Sequence, residues 1–409
     1  MTKNIKMKNP IIEMGGDEMA QIIWEWVKNI LIKPYVDLKT VYFDLGVKNR
    51  DKTKDSVTLK AAKAIKKYRV GVKCATITID DTRVKEYRLK SVLPSPNGTI
   101  RNIIDGTVFR EPILCKNIPK KIPSWTKPII IGRHAFGDQY KAGEITIPGP
   151  GKLMIIFQPK TKKKKIQQNI HEFQSAGVGL GMFNIDKSIR SFARSCFNFA
   201  VERKWPLFLS TKQTILKKYD GRFRDIFDKM YKKEFLKKFK KLKISYEHKL
   251  TDDMVAATLR SNGGFIWACK NYDGDVQSDF LAQGYGSLGM MSSILLSPNG
   301  KIVESEAAHG TIRSHFIQHK KNKKTSTNPV ASIFAWTKAI SYRGKFDKIV
   351  KLQKFSTCLE EACITTIERG IMTKDLALLV GPKQKWVTTE EFLNSTKKEL
   401  EKRLKVKKS

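Results

Sequence analysis

Apolar positions along the chain recur with two different spacings. Residues 11–14 form a short apolar run that ends in Gly15-Gly16-Asp17-Glu18. Met19, Ile22, Ile23, Trp26 and Ile30 then follow the i, i+3, i+4, i+7, i+11 stripe of an amphipathic helix. The opening therefore reads strand, glycine turn, helix. Pro34 closes the helix and VYFDLG follows as the next strand. Residues 57–67 repeat the helical pattern with Ala61, Ala64 and Ile65 inward, and VGVKCATITI (70–79) reads as a buried strand. Strands and helices alternating in this way predict an α/β sheet covered by helices.

Farther on, 90–110 is loop-rich and PIIIG (128–132) is another strand. Residues 144–158 and 164–182 look like hairpin material around a Pro-Lys-Thr-Lys turn, a small β-module of their own. Helical patterns return at 185–203, 211–238 and 251–261. A strand at 293–297 and a turn at Pro298-Asn299-Gly300 come next, and helices are expected at 329–341, 355–369 and 389–404.

The stretch 265–291 joins an apolar strand to an acidic turn and a glycine-rich segment. If 276–282 is helical, Asp275 and Asp279 share a face and repel unless a cation lies between them. A hard divalent ion suits such oxygen ligands, although the pair taken alone reads more simply as a solvated acidic helix start. Gly284, Gly286 and Gly289 spell G-x-G-x-x-G, but a helix end precedes them, not a strand. The context excludes a dinucleotide fingerprint and leaves close packing as the reason for the glycines.

With 409 residues and 41% apolar content, the chain can bury the core of two or three domains. No apolar run is long enough to cross a membrane. The lysine-bearing start lacks a signal-peptide pattern. The six cysteines have no C-x-x-C spacing, so they read as reduced thiols of a cytoplasmic protein. The charge is the outlier at +39. Lysine runs at 162–165, 320–324 and in the tail from 397 could attract nucleic acid, yet no zinc finger or RNA-recognition signature accompanies them. A solvated lysine-rich surface is the simpler account.

Polar clusters fall in apparent loops at strand ends, where α/β proteins place their sites. Ser95 and Asn97 lie near Arg101 and Arg110, and Arg133 lies near Tyr140. Three arginines in short loops suit a multiply charged carboxylate, because the guanidinium fork matches it bidentately. Lys212 with Thr214 at a helix start, Asp252-Asp253, and Glu306-Ala-Ala-His309-Gly310-Thr311 complete the set.

SPNGTIRN (95–102), GTVFRE (106–111), GRHAFGDQY (132–140), STKQTILKKYDGRF (210–223) and YEHKLTDDMVA (246–256) occur in order. WACKNYDGDVQSD (267–279), EAAHGT (306–311) and TSTNPVASIFAWT (325–337) follow. In these motifs the chain resembles the eukaryote-type, homodimeric NADP-dependent isocitrate dehydrogenases over essentially its whole length. The resemblance implies a non-Rossmann α/β fold. A large domain (1–103 and 286–409) would join a small domain (104–137 and 186–285) and a β-rich clasp (138–185).

It also implies oxidative decarboxylation of isocitrate to 2-oxoglutarate through a metal-stabilised alkoxide and enolate. Thr78, Ser95, Asn97, Arg101, Arg110, Arg133 and Thr214 would bind substrate. Tyr140 would protonate carbon, and Lys212 of the partner subunit would assist as base. Asp275 and Asp279, with Asp252 of the partner subunit, would bind Mg²⁺ or Mn²⁺. Lys73, Thr76, Thr78, Arg83, Asn97 and Asn328 would face NADP, as would Glu306 and the stretch His309, Gly310, Thr311, Ile312, Arg313, Ser314 and His315.

The chain departs from that pattern in two places. The arginine expected directly before His315, which grips the cofactor's 2′-phosphate, is one place early as Arg313, with Ser314 in its position. The partner's glutamine and lysine for the same phosphate stand here as Ala257 and Arg260. NADP preference is therefore expected to be kept but weakened. A related metal-dependent 3-hydroxy-acid decarboxylating dehydrogenase is the alternative within the same chemistry, and a basic nucleic-acid-binding role is the alternative outside it.

Overall fold

The computed structural model describes residues 4–161 and 163–406. Lys162, which opens one of the lysine runs, and the last three residues of the basic tail lie outside them. One ten-stranded sheet runs through the molecule. In chain order its first strands are β1 (Ile11–Gly15), β2 (Thr40–Asp44), β3 (Val70–Lys73), β4 (Thr107–Pro112) and β5 (Ile129–His134). Besides a two-residue parallel pair, Ile5–Lys6 with Val36–Asp37, four consecutive strands stand apart from it: β6 (Gly143–Ile147), β7 (Gly151–Phe157), β8 (Ile166–Phe173) and β9 (Gly177–Gly181). The large sheet resumes with β10 (Leu207–Thr211), β11 (Tyr246–Leu250), β12 (Phe265–Cys269), β13 (Met291–Leu296) and β14 (Val303–Ala307).

The spatial order is β11-β10-β12-β5-β4-β13-β14-β3-β1-β2. The two wings are parallel, as helical crossovers require, and the centre from β5 through β4 and β13 to β14 is antiparallel. A mixed centre of this kind is not a Rossmann arrangement. β13 and β14 form a hairpin whose Ser297 hydroxyl donates to Asn299 Oδ1 and accepts from the Ile302 amide.

The helices used below are α1 (Glu18–Val27), α2 (Ser56–Tyr68), α3 (Asp81–Tyr87), α4 (Pro96–Ile104), α5 (Asp186–Arg203), α6 (Tyr219–Met230) and α7 (Thr251–Arg260). They continue as α8 (Asn271–Gly284), α9 (Arg313–Lys320), α10 (Val330–Asp347), α11 (Val350–Glu368) and α12 (Thr389–Val406). One core joins α1, α10 and α11 to the sheet, with Trp24 against Trp336 at 5.1 Å. A second core lies under α2 and α4. The detached strands pair as β6 with β9 and β7 with β8, both antiparallel. They leave Ile145, Ile155, Ile156, Phe157, Ile166 and Val178 exposed. All six cysteines are buried and unpaired. Among the described residues, no helix is long and apolar enough to cross a membrane.

Three expectations need correction. The loop-rich 90–110 contains α4: Ser95 is extended at its N-cap, Pro96 opens it, and Ile100 and Ile104 are buried. Proline and glycine in the first turn hid that short stripe. The strand expected over 70–79 stops at Lys73, because the last register pairs on both sides are Met14 and Glu306. Finally, 211–238 is not one helix. Thr211 ends β10 and α6 begins at Tyr219, so Lys212 and Thr214 occupy a turn, where the Lys212 amide donates to Asp220 Oδ2 at 2.7 Å. The glycine-rich segment behaves as packing. A side chain at Gly284 would meet the Trp125 ring at 2.3 Å.

Candidate active site

Register assembles the polar floor of the site. Arg110 on β4 lies opposite Ser293 on β13, Ser293 opposite Glu306 on β14, and Glu306 opposite Lys73 on β3. Directly paired residues share a face, so groups scattered over the chain form one row. Arg133 on β5 sits on the same face, two places along from Ile131, which pairs with Arg110. α4 lies above the row, and Arg101 Nη2 donates to Glu306 Oε1 at 2.9 Å. Ser95, Asn97, Arg101, Arg110, Arg133, Tyr140 and Asp275 line one cleft of about 490 Å³.

Asp275 is the hub. It lies on α8, which is helical through both Asp275 and Asp279. Its carboxylate accepts from Arg133 in a close ion pair and from the Tyr140 hydroxyl at 2.5 Å. Arg110 lies 3.6 Å from Asp275 and 3.4 Å from Asp279, and donates to Ser278 Oγ at 2.7 Å. Gly274 makes the close approach of Arg133 to this helix possible, because a Cβ there would come within 2.8 Å of the Arg133 Cβ. Arg133 also donates through Nε to Asn271 Oδ1 at 2.9 Å and stacks over the Tyr140 ring at 4.8 Å. Burial, with help from neighbouring Arg101, pulls Arg133 down to about 10, still fully cationic at neutral pH. Burial first, then the bond to Asp275, pushes the Tyr140 phenol up to about 12.

Buried Asp138 sets the Tyr140 turn. It accepts from the Tyr219 hydroxyl at 2.5 Å, from Asn184 Nδ2 at 3.2 Å and from the Asn271 amide at 3.1 Å. Asn271, Gly274, Ser278, Asp138 and Ser293 are site residues that sequence reasoning missed. Asn271 and Ser278 lie inside the quoted acidic stretch, and only their direction toward the arginines singles them out.

Of the residues expected around a nucleotide, Asn97 lines the arginine cleft, Glu306 and Lys73 belong to the row, and others follow the Lys73 end of it. Lys73 Nζ donates to the Cys74 carbonyl at 2.9 Å and to Thr76 Oγ1 at 3.2 Å, while Thr78 is exposed. His309 Nδ1 is 2.8 Å from the Gly310 carbonyl oxygen, and its Nε2 is buried without a partner. Burial keeps this imidazole below its usual pKa, hence neutral. Thr311 donates to Glu18, and His315 Nδ1 meets Thr327 Oγ1 at 2.7 Å. Asn328 Nδ2 donates to Asp375 Oδ2 at 3.0 Å. Ile312, in a left-handed conformation, caps α9, and Gly310 and Ser314 are exposed beside it. The orphaned His309 Nε2 and the equally unpartnered Asn97 Oδ1 fit a bound group that supplies hydrogen bonds.

Other expected members stand elsewhere in the chain. Lys212 Nζ donates to Asp252 Oδ1 at 2.6 Å, both being well exposed, and this bond holds the Asp252 carboxyl below its usual range. Thr214, Ala257 and Arg260 share a separate open hollow of about 520 Å³. Among the described residues of one chain, no three His, Cys, Asp or Glu side chains group closely enough to hold a metal. Asp275 and Asp279 are nonetheless the right donors for a hard divalent ion, which completes its shell with water and ligand oxygens.

Glu304, two places before Glu306 on β14, is fully buried with Oε1 unpartnered. Burial, with repulsion from Glu306, pushes it up to about 8, whereas Arg101 and Lys73 hold Glu306 below its usual range despite burial. A carboxyl raised on folding contributes stability below its unfolded pKa and loses it as pH rises through the folded value. The melting temperature of the wild type should therefore fall relative to Glu304→Gln between about pH 5 and pH 8 and level off above that, by roughly a few degrees. Parallel melting curves across that range would exclude the effect.

Comparison with known proteins gives consistent matches. The model of the isocitrate/isopropylmalate dehydrogenase family matches residues 6–396. An isocitrate dehydrogenase [NADP] of Sphingobium yanoikuyae is 57% identical over 397 residues, covering 97% of this chain and 98% of that protein. A chloroplastic/mitochondrial isocitrate dehydrogenase [NADP] of Arabidopsis thaliana is 57% identical over 97% of this chain and 82% of its own. A mitochondrial isocitrate dehydrogenase [NADP] of Sus scrofa is 55% identical over 96% of this chain and 94% of its own.

Proposed function

The chain belongs to the isocitrate/isopropylmalate dehydrogenase family, and from that premise we propose that it oxidises isocitrate with NADP and decarboxylates it to 2-oxoglutarate and CO₂. The observation that carries this reading is the convergence of Arg101, Arg110 and Arg133 with Tyr140 and Asp275 on one cleft. Three guanidinium forks match a ligand bearing several carboxylates. A shorter acid with a single carboxylate would engage only one of the three forks and forgo the remaining charge-assisted bonds.

We infer that Mg²⁺ or Mn²⁺ is held by Asp275 and Asp279 together with Asp252 of the partner subunit. When bound, NADP and the metal supply a hydride acceptor and a Lewis acid. The chain's own residues do the rest. Arg101, Arg110 and Arg133 bind and orient the carboxylates, so the reacting carbon is fixed relative to both groups. Lys212 of the partner subunit takes the hydroxyl proton of isocitrate. The Tyr140 hydroxyl, kept protonated by burial and Asp275, delivers a proton to carbon after CO₂ leaves.

A shared site implies a homodimer. It is supported by the apolar side chains left exposed on β6 to β9 and by Leu259, Tyr272, Val276 and Phe280 on α7 and α8. The basic test mixes the protein with isocitrate, NADP and Mg²⁺ or Mn²⁺ and follows the reduced cofactor. Activity is expected and should vanish with a chelator. Chelator-resistant activity, or none, would remove the reading. Sharing has its own test. Arg133→His and Lys212→Ala homodimers should each be nearly inactive, and subunit exchange should restore about one quarter of wild-type activity, because half of the dimers are mixed and each holds one intact site. No recovery after verified exchange would place Lys212 and Arg133 in the same subunit's site.

A further inference from the structure

The next step rests on the isocitrate reading above and concerns what holds the Thr78 segment and the first turn of α4 in place. Strand pairing stops at Lys73, so the sheet does not place the chain that follows. Ile77 and Ile79 are buried and Thr78 between them is exposed, the alternation of extended chain. Two side chains take over from the ladder. Asp17 accepts from the Ile77 amide at 2.9 Å and from the Val47 amide at 2.8 Å. Arg50, on the short helix Val47–Lys52 and wholly buried, donates through Nη1 to the Ile77 carbonyl at 3.1 Å. Through Nη2 the same guanidinium donates to the Pro94 carbonyl at 2.7 Å. Its Nε bonds Asp55 Oδ1 at 3.0 Å, and Thr58 donates to that oxygen at 2.6 Å. Pro94 and Ser95 line the arginine cleft, and the Ser95 hydroxyl leaves the helix end uncapped. One planar fork therefore spans the carbonyls just before Thr78 and just before Ser95. The segment between them has ties of its own. Val84, Tyr87, Leu89 and Leu93 pack with Ile77 and Ile79 on Val47, and Asp51 accepts from the Lys90 amide at 2.8 Å. Arg83 and Arg313 share Glu86, while Glu18 accepts from Tyr87 at 2.6 Å and lies 3.9 Å from Arg313. These contacts secure α3 and the far side of the segment.

We propose that Arg50 is a positioning residue for isocitrate binding, fixing the Thr78 segment and the Ser95 turn at one separation before the ligand arrives. Buried backbone carbonyls need a donor, and the guanidinium offers several in a rigid plane that a lysine ammonium cannot reproduce. Ordering two loops in advance removes that cost from binding. The body of α4 does not depend on Arg50, because Ile100 and Ile104 are buried and Arg101 is held by Glu306. Arg101, Arg110 and Arg133 consequently keep their places when the clamp is lost. The defect falls on affinity for isocitrate and spares the chemical step.

The test measures kcat and the KM for isocitrate on the full-length protein with NADP and Mg²⁺, beside a melting curve. Arg50→Lys keeps the charge next to Asp55 but cannot bridge both carbonyls, and should raise KM about tenfold with kcat within about threefold of wild type. Asp55→Asn, which keeps the acceptor oxygen and suits the left-handed conformation of residue 55, should raise KM in the same direction by about threefold. It is the milder variant should Arg50→Lys not fold. KM does not depend on how much of a sample is folded, so a merely structural residue would lower kcat and melting temperature and leave KM alone. That pattern, or a KM within about twofold of wild type in Arg50→Lys (in Asp55→Asn if the lysine variant does not fold), overturns the proposal. A wild-type protein without isocitrate activity would remove the functional reading itself, a result distinct from normal wild-type kinetics that the variants fail to change.

Discussion

Arg133→His is expected to lower kcat/KM for isocitrate by about 10²- to 10³-fold, because two charge-assisted hydrogen bonds to a carboxylate are each worth about 1.5–3 kcal/mol. The dissociation constant of NADPH should stay within about threefold of wild type, a change under about 1 kcal/mol. Geometry separates the two effects. Arg133 bonds Asn271 and Asp275 at one end of the polar row, whereas Lys73 and the 309–315 segment lie toward the other. Folding should survive, since Asp275 keeps Arg110 and Tyr140 as partners and no carboxylate is left buried and alone. Steady-state kinetics, NADPH titration and a melting curve check the three parts. A loss of less than about fivefold, or NADPH affinity falling in step, would contradict Arg133 as a substrate anchor.

Tyr140→Phe has the second large effect. General acid catalysis by a positioned side chain is typically worth about 10²–10⁴-fold, and kcat should fall within that range while the KM for isocitrate changes little. Removing the hydroxyl takes one hydrogen bond from Asp275 but leaves Arg133 and Arg110 on it. The phenol is pushed up to about 12, so its proton is present throughout the working range. No alkaline limb below about pH 10 should therefore be assigned to it in the wild-type rate profile. A readout beyond rate fixes the step: in heavy water, wild-type enzyme should place one deuterium stereospecifically on the carbon that lost CO₂, and the variant should lose that selectivity. Retained stereospecificity with near-normal kcat would assign the proton to another group.

Much of the site was legible before any fold was known, in an uneven way. Asp275 and Asp279 were readable as one helix face because a spacing of four is a local property, and α8 is helical through both. The arginines were readable as a group by residue type, since a planar fork in a short segment implies an acidic ligand. The helix end before the G-x-G-x-x-G string excludes a dinucleotide fingerprint, and Gly284 against Trp125 supplies the physical reason for that glycine. α4 escapes the apolar pattern because Pro96 and Gly98 interrupt it and its buried face is only Pro96, Ile100 and Ile104. The 211–238 helix was overextended because a polar turn and a polar helix start look alike until Asp220 is seen accepting the Lys212 amide.

Taken alone, the sequence determined the alternation of strands and helices, the acidic face of α8, the chemical type of the ligand and the family whose motifs the chain carries. These depend on residue identity at short separation, where one or two turns of backbone decide which side chains are neighbours. Only the tertiary structure decided that Lys73, Glu306, Ser293 and Arg110 form one row, because strand register sets that and a one-residue slip would turn each to the opposite face. It also decided that Glu304 is a buried carboxyl without a full set of partners, and that Lys212 and Asp252 bond each other instead of joining Asp275 within one chain. The pairing of Arg83 and Arg313 on Glu86 belongs to the same class. Long-range contacts select which charges meet, and at a few ångströms the choice of partner outweighs anything the local sequence encodes.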